Sequence, residues 1–378
     1  MTFLGIALVL LVVWTYAGAA TIAVLRFARR PLETGADGPA ISVLKPLHGA
    51  EPQLHDNLRS FAEQDYPEFQ IVFGVRDRTD EAIPVARALI RERPDSDINL
   101  VVDSRVAGTN LKVANLENML PAARHGIVVL ADSDMLVTPD YLGAVTAPLA
   151  DPQTGLVTCL YKAIPGRGLW SQLAALHINY GFLPSAVMGE ALNVGGGCFG
   201  ATIALRRDVL SRIGDFTRLR DELADDHRIG AAVRNLGLST VLSRYIVENH
   251  VTEPSFSDLW QHEVRWARTT RLMAPVGFAG SVVTHTIVLP ALVTLAFGAG
   301  AAAWGFVLLS LLLRWLSAAI VAYRLDLPRT GLWLLPLRDV LSFAVFLSSF
   351  FGRNVRWRDH VFRIESGGRM RIEGDEAA

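Results

Sequence analysis

Two aspartates one residue apart, Asp132-Ser133-Asp134, follow directly on the apolar run Gly126-Ile127-Val128-Val129-Leu130-Ala131. A buried strand that delivers paired carboxylates to its C-terminal end can hold a hard divalent cation such as Mg²⁺ or Mn²⁺, and the natural partner of that cation in a sheet-end crevice is a diphosphate. The chemistry this points to is that of nucleotide sugars. Asp and Ser are also ordinary turn residues, so the same three residues standing alone read as a turn. Asp77, at the end of Phe73-Gly74-Val75-Arg76-Asp77, has two comparable readings: capping of a helix that begins near Asp80, or acceptance of hydrogen bonds from a base or ribose. Asp225 and Asp226 open a helical pattern over residues 228–233, where a helix N-terminus favours an ionised carboxylate and each acid raises the proton affinity of its neighbour. Among 36 basic residues lysine occurs only as Lys45, Lys112 and Lys162. By its position alone Lys112 reads as a solvated residue at a helix start. His177, His227 and His250 have no metal-ligand spacing, and Cys159 and Cys198 are too few for a disulfide framework, which fits a reducing compartment.

These residues need a scaffold, and the periodicity supplies one. Strand-like runs at residues 41–44, 69–75, 99–102 and 127–131 alternate with helical patterns at 54–63, 81–92 and 113–123. The alternation predicts an α/β, Rossmann-like domain with a mainly parallel sheet covered on both faces and ligands at the strands' C-terminal ends. No G-x-G-x-x-G follows the first strand, which argues against a dinucleotide dehydrogenase.

Apolar blocks flank this region, in keeping with a positive mean hydropathy. Residues 3–25 are long enough to cross a bilayer, and Arg26, Arg29 and Arg30 come directly after them, which predicts an uncleaved anchor with its N-terminus outside and the domain behind it in the cytosol. A second block, residues 276–323, has room for two helices with a break near residues 298–305. The segment 332–351 is interrupted by Arg338 and Asp339, costly at mid-bilayer depth, and reads as re-entrant or interfacial. The expected organisation is an anchor at 1–27, a linker at 28–39, a catalytic domain at 40–274, membrane helices at 275–351 and a cytosolic basic tail at 352–378, without fixed structure from about Gly367. A formal charge of −1 leaves no basic field for nucleic acid.

The ordered motifs resemble a known family, the nucleotide-diphospho-sugar glycosyltransferases of GT-A fold, family 2/21 type, in their ceramide glucosyltransferase-like branch. The resemblance covers residues 41–266 and rests on Leu44-Lys45-Pro46-Leu47 with Gln64-Asp65-Tyr66-Pro67, Gly108-Thr109-Asn110-Leu111-Lys112 with Asn115-Leu116, and Asp132-Ser133-Asp134. It continues through Gly195-Gly196-Gly197 leading to Arg206-Arg207-Asp208-Val209-Leu210, then Asp225-Asp226 and Gln261-His262-Glu263-Val264-Arg265-Trp266. The opening from Leu44 to Pro52 is most similar to the bacterial hopanoid-biosynthesis glycosyltransferases of that branch. The ceramide enzymes often carry Gly at the third position of the Asp-x-Asp motif, so Asp134 departs toward the general pattern.

The resemblance implies that Asp77 binds uracil or ribose, that Lys112 lies near the phosphates, and that Asp132 and Asp134 hold the Mg²⁺ or Mn²⁺. It implies Asp226 as the general base that deprotonates an acceptor hydroxyl. Gly196 and Gly197 would line the acceptor pocket, while Gln261, Arg265 and Trp266 would border the active site, Arg265 toward the diphosphate and Trp266 along the acceptor. The expected protein is an inverting, multi-pass enzyme of the bacterial inner membrane with a cytosolic catalytic domain. It would move N-acetylglucosamine or glucose from a UDP-sugar to a membrane lipid, bacteriohopanetetrol being the first candidate and ceramide the nearest substitute. Its oligomeric state is left open. A processive polysaccharide synthase shares these motifs but needs a channel of several helices. A transporter would need polar groups at mid-depth, of which the apolar blocks hold almost none, and a UDP-sugar sensor would bind without turnover.

Overall fold

The computed structural model describes residues 2–35, 38–194, 197–296, 300–352, 354–357, 360–364 and 370–372. It comprises two compact bodies, one of Pro31–Tyr161, Gly196–His250 and Gly368–Ala378, the other of Met1–Arg30, Lys162–Gly195 and Val251–Gly367.

The first body is built on a sheet of eight strands: β1 (Ile41–Pro46), β2 (Phe69–Val75), β3 (Ile98–Val102), β4 (Ile127–Ala131), β5 (Met135–Leu136), β6 (Thr154–Pro165), β7 (Thr202–Arg206) and β8 (Ser239–Val251), in the order β3-β2-β1-β4-β7-β6-β8-β5. The expected strands are all present, and β1, β2, β3 and β4 run parallel. Helices on both faces explain why β4 reads as a continuous apolar run rather than an alternating one. Ile41, Val43, Val129 and Phe73 pack with Phe61 and Tyr141 on one face, while Leu44, Val72 and Val128 pack with Leu116 and Val209 on the other.

Beyond β4 the sheet turns antiparallel. Ala131 of β4 lies opposite Thr202 of β7, so the chain entering β7 arrives at the edge where β4 ends. Met135 of β5 lies opposite Asn249 of β8, which brings the far end of a long strand to the same place. The strand order reverses between β1 and β4, and the crevice at such a switch point is where ligands bind in open α/β sheets.

The second body holds the apolar helices. Among the described residues three are long and apolar enough to cross a membrane, Ala7–Phe27 within the Thr2–Phe27 helix, Ala301–Arg324, and Leu332–Ser349, and the pair Pro275–Thr284 and Val288–Ala296, bent by 77°, makes a fourth if it is one span. The second apolar block, expected to form two helices, therefore forms three pieces. Pro290 has no N–H for the carbonyl of Thr286, and its ring crowds that carbonyl, so no straight helix runs back through the break. Of the residues 298–305 where a later break was expected, 298 and 299 lie outside the described residues, Gly300 precedes the Ala301–Arg324 helix, and 301–305 lie within that helix.

The first helix and Ala301–Arg324 lie parallel. Trp14 Nε1 donates to Ser310 Oγ (2.9 Å) and the Thr21 and Ser317 hydroxyls are 2.7 Å apart, two bonds with the same sequence separation. Leu8, Leu11, Ile22, Leu308, Leu312 and Leu316 each expose more than half of their surface, which suits a lipid environment and not water.

Arg338 and Asp339 are both buried in the Leu335–Ser349 helix and both are paired. Arg338 binds Glu263 through two 2.7 Å bonds, and Asp339 receives two bonds from Arg314 at 3.0 and 3.1 Å. Arg314 lies well inside the Ala301–Arg324 helix, so mid-depth polar groups are more numerous than hydropathy alone suggests. The Leu335–Ser349 helix runs along the Phe256–Met273 helix, from Arg338–Glu263 to the 2.7 Å bond from Arg268 Nη2 to the Phe351 carbonyl. The tail expected to lack fixed structure forms a strand at Met370–Ile372, and its other residues from 365 onward lie outside the described residues.

Candidate active site

The Asp132-Ser133-Asp134 turn closes the end of β4 and is gripped from three directions. From β1, fully buried Lys45 donates from Nζ to the Asp132 carbonyl (2.8 Å), with its ammonium 3.5 Å from the centre of the Phe61 ring. From β8, Asn249 donates to Asp134 Oδ2 (2.7 Å). From the Leu111–Met119 helix, Lys112 Nζ lies 2.6 Å from Asp132 Oδ1.

Lys112 owes its place to Asn110. The Asn110 side chain caps the helix, accepting from Lys112 N (3.0 Å) and Val113 N (3.1 Å), and donates to the Glu222 carbonyl (2.8 Å). Its backbone N–H donates to the Arg220 carbonyl at 2.7 Å. Gly108 has φ +79°, and a Cβ there would stand 2.7 Å from the Arg220 carbonyl oxygen. The G-x-N-x-K segment is thus fastened to the residues just before Asp225 and Asp226, which open the Asp225–Asn235 helix. Asp226 Oδ1 accepts from its neighbour His227 N (2.7 Å), and Oδ2 accepts from Gly200 N at 3.0 Å. Gly200 is the point of convergence. A Cβ on it would lie 3.5 Å from Asp226 Oδ2, 3.5 Å from Lys112 Nζ and 3.6 Å from Asp132 Oδ2.

Four carboxylates share this space with two amines. Burial pushes Asp225 up to about 6, against the pull of Lys112, with Asp226 and Asp132 adding like charge. Burial likewise raises Asp226, opposed by Lys112 and by the His227 N–H, while Asp132 adds to the rise. The expected mutual effect of the two neighbours is therefore secondary for Asp226, whose desolvation is the larger cause. Asp134 is raised by burial and by Asp132, against the Asn249 hydrogen bond. Burial lowers Lys45 to about 7 in spite of Asp134, Asp132 and Glu51, whereas Lys112 is held above its ordinary value because Asp132 and Asp225 outweigh its burial.

Asp77 sits two residues past the end of β2, at the same sheet edge as the end of β4, and is exposed. It accepts from Thr79 N (2.8 Å) and Thr79 Oγ1 (2.7 Å), which holds its pKa below the usual carboxylate value. The helix-start role falls to Asp80, which accepts from Ala82 N and from Gly49 N, each at 2.8 Å.

Gln261, Arg265 and Trp266 lie on the Phe256–Met273 helix of the other body. There Gln261 is exposed and donates to Ser257 Oγ (2.9 Å), and the Trp266 ring packs 4.2 Å from that of His262. Gly196 lies outside the described residues. Gly197 is exposed, and Gly200, three residues on, is the glycine that approaches the carboxylates.

Among the described residues no group of three or more His, Cys, Asp and Glu is arranged as a metal cage. The donor set suits a different mode of binding. One or two carboxylates, with the remaining positions left to phosphate and water oxygens, are what Mg²⁺-type sites on nucleotides use, and Asp132 exposes a third of its side chain.

Sequence reasoning alone missed Lys45, Asn249 and Gly200 as parts of this site. The rarity of lysine was a usable signal for Lys45, and nothing local marks the other two.

The parallel-to-antiparallel sheet has the GT-A glycosyltransferase fold. The mannosyltransferase PcManGT from Pyrobaculum calidifontis, solved with GDP-Man and Mn²⁺, superposes with a TM-score of 0.55 at 19% identity, covering 92% of this chain and 99% of that one. The protein is a glycosyltransferase and belongs to Glycosyl transferase family 21, whose profile matches residues 4–370. Ceramide glucosyltransferase 1 of Caenorhabditis elegans is 22% identical over 353 residues, 88% of this chain and 73% of its own length. The ceramide glucosyltransferase of Komagataella phaffii is 34% identical over 113 residues, 29% of this chain and 22% of its own.

Proposed function

We propose that this glycosyltransferase transfers a sugar from a UDP-sugar to the hydroxyl of a membrane lipid, with inversion, at the cytosolic face of a bacterial inner membrane. The observation that carries the reading is the meeting of Asp132, Lys112 and Asp226 around Gly200. A carboxylate with raised proton affinity stands within one small space of a carboxylate and an ammonium suited to a diphosphate.

Asp226 takes the proton of the acceptor hydroxyl while that oxygen attacks the anomeric carbon. UDP leaves from the opposite side, so an α-linked donor gives a β-glycoside. Lys112, now paired with Asp132, is placed to turn toward the diphosphate oxygens, and Asp77 takes a hydroxyl of the ribose or an edge of the uracil. A Mg²⁺ or Mn²⁺ held by Asp132 and Asp134 would neutralise charge on the departing diphosphate. Asp134, Asp225 and Asp226 are raised first by burial, with the like charge of Asp132 adding to each, and a divalent ion arriving with the donor would supply counter-charge to this acidic cluster. Arg265 and Gln261 are assigned to the diphosphate side, Trp266 with Gly196 and Gly197 to the acceptor.

The names of the similar proteins support a lipid acceptor and glucose as one donor sugar. The segment from Leu44 to Pro52 supports a polyhydroxylated hopanoid with N-acetylglucosamine. Membranes containing the protein, given radiolabelled UDP-N-acetylglucosamine or UDP-glucose with either bacteriohopanetetrol or ceramide, test both readings. A single glycolipid spot whose sugar is released by a β-glycosidase is expected. A ladder of long chains would establish a polymerase instead, and binding of UDP without turnover would establish a sensor.

A further inference from the structure

Lys45 has no part in the chemistry just described, yet it is among the largest fully buried side chains of the protein. It lies on β1 opposite Phe73 of β2, and its neighbour Leu44 pairs with Leu130 of β4, so it reaches the switch point from within the sheet. The Asp132 carbonyl that receives its hydrogen bond has a second donor, Met135 N, at a long 3.4 Å. Lys45 is therefore the close partner of the turn's backbone, and it leaves both carboxylates of the motif uncovered. The Phe61 ring beneath the amine closes off the other side and fixes its direction.

Two of the protein's three lysines thus touch the same aspartate, one at its carbonyl and one at its carboxylate, in a chain that otherwise uses arginine. A planar guanidinium is wider than an ammonium and packs less well in the gap between a ring face and a carbonyl, while it still carries donors for that carbonyl. That geometry selects lysine at residue 45.

We propose that Lys45 is a positioning residue for the transfer reaction, holding the Asp132-Ser133-Asp134 backbone so that its two carboxylates face the donor diphosphate and its cation. This rests on the reading of Asp132 and Asp134 given above. The amine donates this bond whether or not it carries its extra proton, so the role does not depend on its charge state. Lys45 acts through Asp132 and touches neither donor nor acceptor.

The test compares two substitutions in the full-length protein in detergent, with Mn²⁺ binding followed by electron paramagnetic resonance and UDP binding by calorimetry. Lys45→Met keeps the length and apolar stem and removes the donor. Lys45→Arg keeps donors and charge but overfills the space. If Lys45 positions the turn, Lys45→Met weakens Mn²⁺ and UDP binding at least tenfold, and Lys45→Arg, less well packed, binds both more tightly than Lys45→Met does. In transfer assays Lys45→Met then raises the donor KM more than it lowers kcat. The proposal is overturned if Lys45→Met binds like the wild type, or if Lys45→Arg is the weaker binder, since the lysine then serves packing alone. Failure of the underlying reading is seen separately, as a wild-type protein that binds neither Mn²⁺ nor UDP.

Discussion

Asp226 meets two demands that usually oppose each other: it is held by two N–H donors that favour its charge, and it is desolvated enough to want a proton. Replacing it with Asn keeps the size but sets an amide NH₂ against one of those donors. We expect Asp226→Asn to lower kcat by roughly 10²- to 10⁴-fold while UDP affinity stays within about threefold, since 1.4 kcal/mol is already a factor of ten. The raised pKa keeps the proton on Asp226 to a higher pH than on an ordinary carboxylate, so kcat/KM falls as pH drops through that value. A pH–rate profile with its acid limb at or below 3.8 would contradict the assignment. Asp225 gives a stability test. Its pKa of about 6 in the folded chain lies above its ordinary value of 3.8, so its contribution is present below that value and lost as pH rises past about 6. Without added metal, Asp225→Asn is therefore expected to gain Tm over the wild type, and the gap to widen from about pH 5 to pH 7.

At the scale of elements, the pairing of Arg338 with Glu263 sets how the last apolar helix lies along the Phe256–Met273 helix. Both residues are almost fully buried, at 1% and 3% exposure. Removing one partner strands the other charge, at a cost of about 3–5 kcal/mol, whereas replacing both with apolar residues of similar volume is often tolerated. Arg338→Met is therefore expected to abolish a stable detergent-solubilised protein, and the double change Arg338→Met with Glu263→Leu to restore most of its Tm. If the double variant is no better than the single, the pair is not the fastening between these helices. The helix patterns themselves were legible to within a few residues, because their apolar periodicity is local. The bend at Pro290 was not, because a proline among apolar residues leaves hydropathy unchanged.

On the scale of the whole molecule, the parallel pairing of the first helix with Ala301–Arg324 has a topological consequence. Arg26, Arg29 and Arg30 lie at the end of one helix or just past it, and Arg324 and Arg329 stand likewise to the other, so the basic residues collect at matching ends. The positive-inside rule predicts that end to be the cytosolic one. Single cysteines introduced at Gly300 and at Gly5 are expected to label from the outer face of intact cells, and those at Arg30 and Arg329 only after permeabilisation. Labelling of Gly300 and Arg329 from the same side would contradict the crossing of the helix between them. The same reading predicts a crossing by the bent pair before Gly300, since two parallel spanning helices need a crossing between them.

The sequence by itself determined the elements and the chemistry on offer. Short, mostly apolar runs marked the four parallel strands, one of them ended in Asp132-Ser133-Asp134, and the apolar blocks marked helices long enough to cross a membrane, because burial on two faces and bilayer length both write themselves into consecutive residues. Arg338 and Asp339 stood out from sequence as costly charges, but their partners Glu263 and Arg314 lie 75 and 25 residues away. Only the folded chain decided that Lys45 carries the Asp132 carbonyl, that Asn249 holds Asp134, and that Gly200 is where Asp132, Lys112 and Asp226 come together. Each of these is a contact between residues far apart in the chain, selected by strand register and packing, and no local pattern of residue types records which distant partner a polar group will meet.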